Sequence, residues 1–144
     1  MMTKELTVEA VIENLDPIQV FIEEALDEVA CPMKIAMQIS IAVEEIFLNI
    51  VNYAYNPVTG RAIIRCALED CGDDKMQVCI GFLDNGKPFN PLETEEADIS
   101  LSAEDRDIGG LGIYMVKKSM DHIEYNYVDN QNILSFSKKF DIET

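Results

Sequence analysis

The sequence predicts an α/β (α+β) two-layer sandwich: a mixed, mostly antiparallel sheet with helices on one face. Three observations predict it. Residues 17–30 and 32–55 carry apolar side chains at three- and four-residue steps, the period of a helix with one buried face. Segments 61–69 and 75–83, and again 122–129 and 132–140, read as strand pairs joined by short turn-rich links. The resulting order, β-α-α-β-β-loop-α-β-β, interleaves helices with hairpins, which stacks a helical layer on one side of a sheet.

Composition narrows the class. The 144 residues read as one domain spanning 1–144, with no internal repeat and no linker. Hydrophobic residues make up 48% and charged residues 26%, a globular balance. The stretch 1–14 alternates and carries acids, unlike a signal peptide, and no apolar run suggests a membrane span. Four cysteines without a C-x-x-C pair, together with a single histidine, argue against zinc and fit a reducing, cytoplasmic setting. The net charge of −16 argues against nucleic acid and anionic membrane and permits basic protein partners. A polyphosphate ligand would need local help from a cation or from backbone dipoles.

The elements follow in order. Residues 3–12 read as a strand, after which Asp16 and Pro17 supply a helix N-cap and a first helical position. In helix 17–30, Val20, Phe21, Ala25, Leu26 and Val29 form the apolar face, with Glu23, Glu24, Asp27 and Glu28 outside. Cys31-Pro32 breaks it and opens the central helix, 32–55, whose stripe is Ile35, Ile39, Val43, Ile46 and Ile50. Asn56–Gly60 is a turn signal, as is the acidic link Asp70–Asp74 around Gly72. A second turn cluster, DNGKPFNP, fills 84–91. Leu92–Asp107 is an acidic loop whose one basic residue is Arg106, and its acids read as a solvated lid face. A glycine-rich start at 108–113 runs into a helix through about Met120, with Lys117 and Lys118 outside, and two strands close the chain.

Glu45, Asn49 and Asn52 recur one turn apart on a second flank of the central helix. A carboxylate and two carboxamides in line can hold a hydrated cation and a proton in transit, or can simply be the wet side of an amphipathic helix. Asp84-Asn85-Gly86 is an ordinary hairpin or Asx turn, or an acceptor carboxylate beside a glycine where a flat ring can approach the backbone. Gly109-Gly110-Leu111-Gly112 opening a helix has the shape of an anion site, or of a flexible loop entering a helix. No Lys-Ser/Thr follows, so it is not a Walker loop.

In this order, the three stretches resemble the GHKL (histidine-kinase-like) ATPase superfamily, nearest its anti-sigma-factor serine/threonine kinase branch. EEIFLNIVNYAY (44–55) resembles that family's N box, DNGKPFNP (84–91) its first glycine box and GGLGIYMVKKSMD (109–121) its second; FSKKF (136–140) resembles its last strand. The resemblance implies a Bergerat-type ATP-binding fold. It makes Glu45 the general base and Asn49 the Mg²⁺ ligand. It assigns ATP contacts to Asn49, Asn52, Asp84, Gly86, Arg106, Gly109, Gly110, Leu111 and Gly112, with Asp84 reading the adenine amino group. It implies ATP and Mg²⁺ as cofactors, phosphorylation of a serine on an anti-anti-sigma (STAS-type) partner, sequestration of a sigma factor, and a homodimer. A nucleotide-sensing binding module with little kinase activity is the alternative, and an ATPase acting on water a third reading.

Four positions depart from the family pattern. Pro88 stands where the wider superfamily has a glycine, and Tyr53 where a histidine is common. Ile133 falls where a threonine hydroxyl would support Asp84, and helix 17–30 has no Arg or Lys where the family's partner contacts use a basic residue. His122, at a strand start, reads as structural.

Overall fold

The computed structural model describes residues 2–55, 59–93 and 108–142. Strands β1 (Met2–Glu9), β2 (Arg61–Gly72), β3 (Lys75–Asp84), β4 (His122–Val128) and β5 (Gln131–Asp141) form one sheet in the order β1-β2-β3-β5-β4. Helices α1 (Leu15–Glu28), α2 (Met33–Asn49) and α3 (Ile108–Ser119) complete the described elements. Among the described residues every adjacent strand pair is antiparallel, and none shows the parallel component expected of a mixed sheet. The cause is topological. The α1–α2 hairpin returns the chain to the end it left, so β2 runs against β1. A single crossover through α3 does make β3 and β4 co-directional, but β5 lies between them.

Alternation sets the covered face. Ala62, Ile64, Cys66 and Leu68 of β2 and Met76, Val78, Ile80 and Phe82 of β3 point the same way and are buried. They meet Ile18, Ile22 and Leu26 of α1 and Ile39, Val43, Ile46 and Phe47 of α2 in one core. Both hairpin links are two-residue turns with positive φ at each position, Asp73-Asp74 (55° and 60°) and Asp129-Asn130 (52° and 64°). That is the turn whose twist matches paired strands, and Asp and Asn tolerate it.

Local chemistry moves several expected boundaries. Helix α1 begins at Leu15, not Pro17, because a 3₁₀ turn at Ile12–Asn14 leads straight into it. Pro17 therefore sits in the first helical turn, where a missing N–H costs no intrahelical bond. Its phase also differs: Ile18 and Ile22 are buried, whereas Val20, expected inside, is exposed. The central helix does not run uniformly to residue 55. After Asn49 it widens into a π turn, Ile50–Ala54. Met33–Ala54 is long and apolar enough, at mean hydropathy 1.4, to meet the length and composition test for a membrane span; here its stripe packs on the sheet.

Helix α1 ends in a Schellman motif. The Cys31 N–H donates to the Leu26 carbonyl (3.1 Å) and the Ala30 N–H to that of Asp27 (3.2 Å), with Ala30 in the left-handed region at φ 52°. Alanine is strained there and glycine is not. Ala30→Gly is expected to raise the unfolding free energy by about 1 kcal/mol and Tm by about 3 °C, read by urea and thermal denaturation.

Candidate functional site

The C-terminal end of α2, the end of β3 and the start of β5 converge on a small pocket. Phe82, Phe89, Tyr125 and Leu134 line its apolar walls, and Asn49, Asp84 and Asn132 are its polar groups. All three polar residues are buried. That combination, mostly apolar with a few fixed polar atoms, suits a flat heterocycle better than a sugar or a peptide.

Asp84 is the last residue of β3, directly opposite Asn132 of β5. Asn132 Nδ2 donates to Asp84 Oδ1 at 2.8 Å, and the Gly86 N–H donates to the same oxygen at 2.9 Å. Burial pushes the Asp84 carboxyl above the usual carboxylate range, and these two bonds pull it back down. Both bonds fall on Oδ1, which leaves Oδ2 as an acceptor.

Asn132 does more than support Asp84. Its Nδ2 also donates to the Lys87 carbonyl (2.9 Å), while its Oδ1 accepts from the Phe89 N–H (3.2 Å) and from the Tyr125 hydroxyl. One buried carboxamide thus ties the carboxylate, the 86–89 loop and β4 together. The support expected from residue 133 comes instead from residue 132: Ile133 pairs with Leu83, and alternation turns it to the other face of the sheet.

The π turn closes the other side. The Ala54 carbonyl, near the helix end, accepts from the Lys87 N–H at 3.1 Å. Gly86 lies against that carbonyl so closely that a Cβ would run into it. The Tyr53 ring stacks on Phe89 with centroids 4.9 Å apart, and this is what the tyrosine does where a histidine was expected. The Tyr55 hydroxyl accepts from the Asn85 N–H (2.7 Å) and donates to the Arg61 carbonyl (2.8 Å). Burial raises both the Tyr55 and Tyr125 phenols, which keeps them protonated donors.

Further along α2, Asn49 Nδ2 donates to the Glu45 backbone carbonyl (2.8 Å) and to Glu45 Oε1 (3.2 Å). The Glu45 carboxylate reaches α3, where it fills the space that a Cβ on Gly112 would take. This contact brings the first turns of α3 beside Glu45. Ile108 is the first helical residue, so the N–H groups of Ile108, Gly109 and Gly110 have no intrahelical acceptor. Asn49 Oδ1 and the Glu45 carboxylate are hard oxygen donors, which suits Mg²⁺, a cation that takes one or two protein ligands alongside phosphates and water.

Of the residues singled out in sequence, Glu45, Asn49, Asp84, Gly86 and Gly112 come together here. Asn52 does not join them. The wider π turn breaks the one-turn spacing from Asn49, and Asn52 is exposed in a shallow depression with Val11, Ile12 and Val51. Arg106 and the acids of 94–107 lie outside the described residues. Lys117, expected to be solvated, donates to the Leu92 carbonyl at 3.0 Å, whereas Lys118 sits over the Tyr114 ring. His122 is exposed beside Glu124. Asn132, Tyr125, Tyr55 and Phe89 were not singled out, because only strand register and loop docking bring them to Asp84.

This fold is that of a histidine kinase-like ATPase domain. The chain belongs to that family, whose model matches residues 8–138. Among solved structures, the RsbU and RsbW domains of Rv1364c from Mycobacterium tuberculosis share the fold at a TM-score of 0.62 and 16% identity, over 96% of this chain and 32% of that one. This chain thus spans about a third of that protein's length. The curated proteins contain no match.

Two glycines in the site meet different neighbours, and this yields a test. Gly86→Ala collides with backbone and should cost about 1–3 kcal/mol of stability. Gly112→Ala meets only a carboxylate that can swing aside, so its stability should stay within about 1 kcal/mol of wild type. Urea denaturation of both variants reads the contrast; equal losses would mean Glu45 is as rigidly held as the Ala54 carbonyl.

Proposed function

We propose that this chain is an ATP- and Mg²⁺-dependent serine/threonine protein kinase of the anti-sigma type. It would phosphorylate a serine of an anti-anti-sigma (STAS-type) partner and, in its other state, sequester a sigma factor, acting as a cytoplasmic homodimer. The observation that carries this reading is the Glu45 carboxylate, held between Asn49 and Gly112 at the N-terminal end of α3. A base is thereby set beside the backbone N–H groups best suited to phosphate oxygens. The fold shared with a structure that includes an RsbW domain supports the same branch.

In this reading the adenine ring enters between Phe89 and Tyr125, and its exocyclic amine donates to Asp84 Oδ2. Ile108, Gly109 and Gly110, at the open start of α3, would present N–H groups to the phosphates. Asn49 Oδ1 would hold Mg²⁺, which when bound supplies charge neutralisation on the β- and γ-phosphates. Glu45 takes the proton of the partner's serine hydroxyl as that oxygen bonds to the γ-phosphorus. The bond from the γ-phosphorus to the bridging oxygen breaks, and ADP leaves. The acidic α1 leaves a nucleotide-sensing module as the second reading, since a basic partner contact is missing there.

Phosphate transfer separates the two. A partner co-purified with the chain should gain phosphoserine with Mg-ATP, and Glu45→Ala should slow transfer by about 10²–10⁴-fold with ATP affinity kept. Asn49→Ala should abolish transfer and the Mg²⁺ sensitivity of binding. Unchanged transfer in Glu45→Ala would remove the base assignment; repeated absence of phosphoserine would favour the sensor.

Base recognition has its own test. Inosine triphosphate has a carbonyl where ATP has the amine, so calorimetry should find it bound about 10–100-fold more weakly. Asp84→Asn and Asn132→Leu should both narrow that ratio. If wild type does not distinguish the two nucleotides, Asp84 does not read the base.

A further inference from the structure

Four large apolar side chains stand exposed on helices α1 and α2: Met33 at 76%, Met37 at 60%, Val20 at 51% and Ile41 at 49%. Met33, Met37 and Ile41 recur every four residues along one face of α2, a row about 12 Å long. Val20, Glu23 and Asp27 recur along the facing side of α1. Glu23, Asp27, Met33 and Met37 line a common groove, and the Gln19 amide tethers the helices by donating to the Ser40 carbonyl at 2.9 Å.

The rim is acidic and unneutralised. Glu23, Glu24 and Asp27 make no ion pair among the described residues, whereas Glu28 at the end of α1 is paired with Lys4. The only base within α1 and α2 is Lys34. An apolar floor rich in methionine accommodates varied side chains, and a carboxylate rim selects their flanks.

We propose that this groove docks a basic amphipathic helix of a partner protein, with its apolar stripe on Met33, Met37 and Ile41 and its Lys or Arg side chains against Glu23 and Asp27. The groove lies on the N-terminal half of α2, away from the Asp84 pocket, and the proposal stands whether or not nucleotide binds there. Charge complementarity selects the occupant. A second copy would set one acidic rim against another, and an anionic bilayer would meet the same repulsion. An extended peptide needs a free strand edge for main-chain pairing, and helices α1 and α2 offer none. A helix brings its backbone bonds with it and packs as the third member of a bundle.

The probe is a synthetic Leu/Lys amphipathic helix of about five turns, titrated into protein carrying ¹³C-labelled methionine methyls. The Met33 and Met37 signals should shift saturably, more weakly at high salt. Those of exposed Met115 and buried Met76 and Met120 should stay in place. Met33→Ser with Met37→Ser, and separately Glu23→Lys with Asp27→Lys, should each weaken binding about tenfold or more. Glu69→Lys with Asp70→Lys, on the far hairpin, should leave it unchanged. Shifts at Met115 as large as at Met37, or equal loss in the hairpin variant, would reduce the effect to bulk charge and overturn the proposal. Met33 and Met37 signals that move with protein concentration alone, or with anionic vesicles, would overturn it in favour of self-association or a membrane.

Discussion

A carboxylate taken out of water must be met by donors or it will take up a proton, and the bond from Asn132 to Asp84 is where this chain meets that requirement. Asn132 could have been a simple partner, but its amide is fully used. One end serves the carboxylate and the 87 carbonyl; the other receives the Phe89 N–H and the Tyr125 hydroxyl. The loop after β3 is therefore held in one shape from beneath. The π turn holds it from the side, through the Ala54 carbonyl and the Tyr53–Phe89 stack. The shape of the pocket and the charge inside it depend on the same side chain.

What was legible in sequence was whatever is local. The apolar stripe of α2, the turn at 84–86 and the glycine-rich start of α3 each announce themselves within a few residues, and their order carried the family. The strand pairs were also readable, since Asp and Asn at the links suit the two-residue turns they form. Register was not readable. Whether residue 132 or 133 faces Asp84 depends on a one-residue phase, and a strand shifted by one turns every side chain over. Ile133 sits one residue from the right position; Asn132 bonds Asp84 because alternation points it inward. The same limit applies to Asn52. Helical spacing put it in line with Glu45 and Asn49, but the π turn, which no local propensity marks, took it out of line.

The glycines of the site show why a motif letter is not a single physical requirement. Gly86 is forced by backbone: the Ala54 carbonyl occupies the place of its Cβ. Gly112 is forced by a side chain: the Glu45 carboxylate occupies that place instead. The first glycine lets the 86–89 loop close against the end of the π turn, and the second lets a carboxylate reach the start of α3. Substitution at one strains the fold, whereas substitution at the other displaces a charge.

The net charge of −16 then has a consistent distribution. Within the described site the acids are few and constrained: Asp84 is buried under donors and Glu45 is held against a helix start whose first N–H groups have no intrahelical acceptor. An anionic ligand there meets backbone dipoles at short range, where they outweigh distant carboxylates that salt and solvent screen. On α1, Glu23 and Asp27 have no ion pair among the described residues, and they stand exposed around an apolar floor. The same excess of charge is thus masked where a polyphosphate would sit and displayed where a protein surface is open. A chain built this way can hold an anion in one place while attracting bases in another, because field strength at each surface is set by the nearest few groups and not by the total.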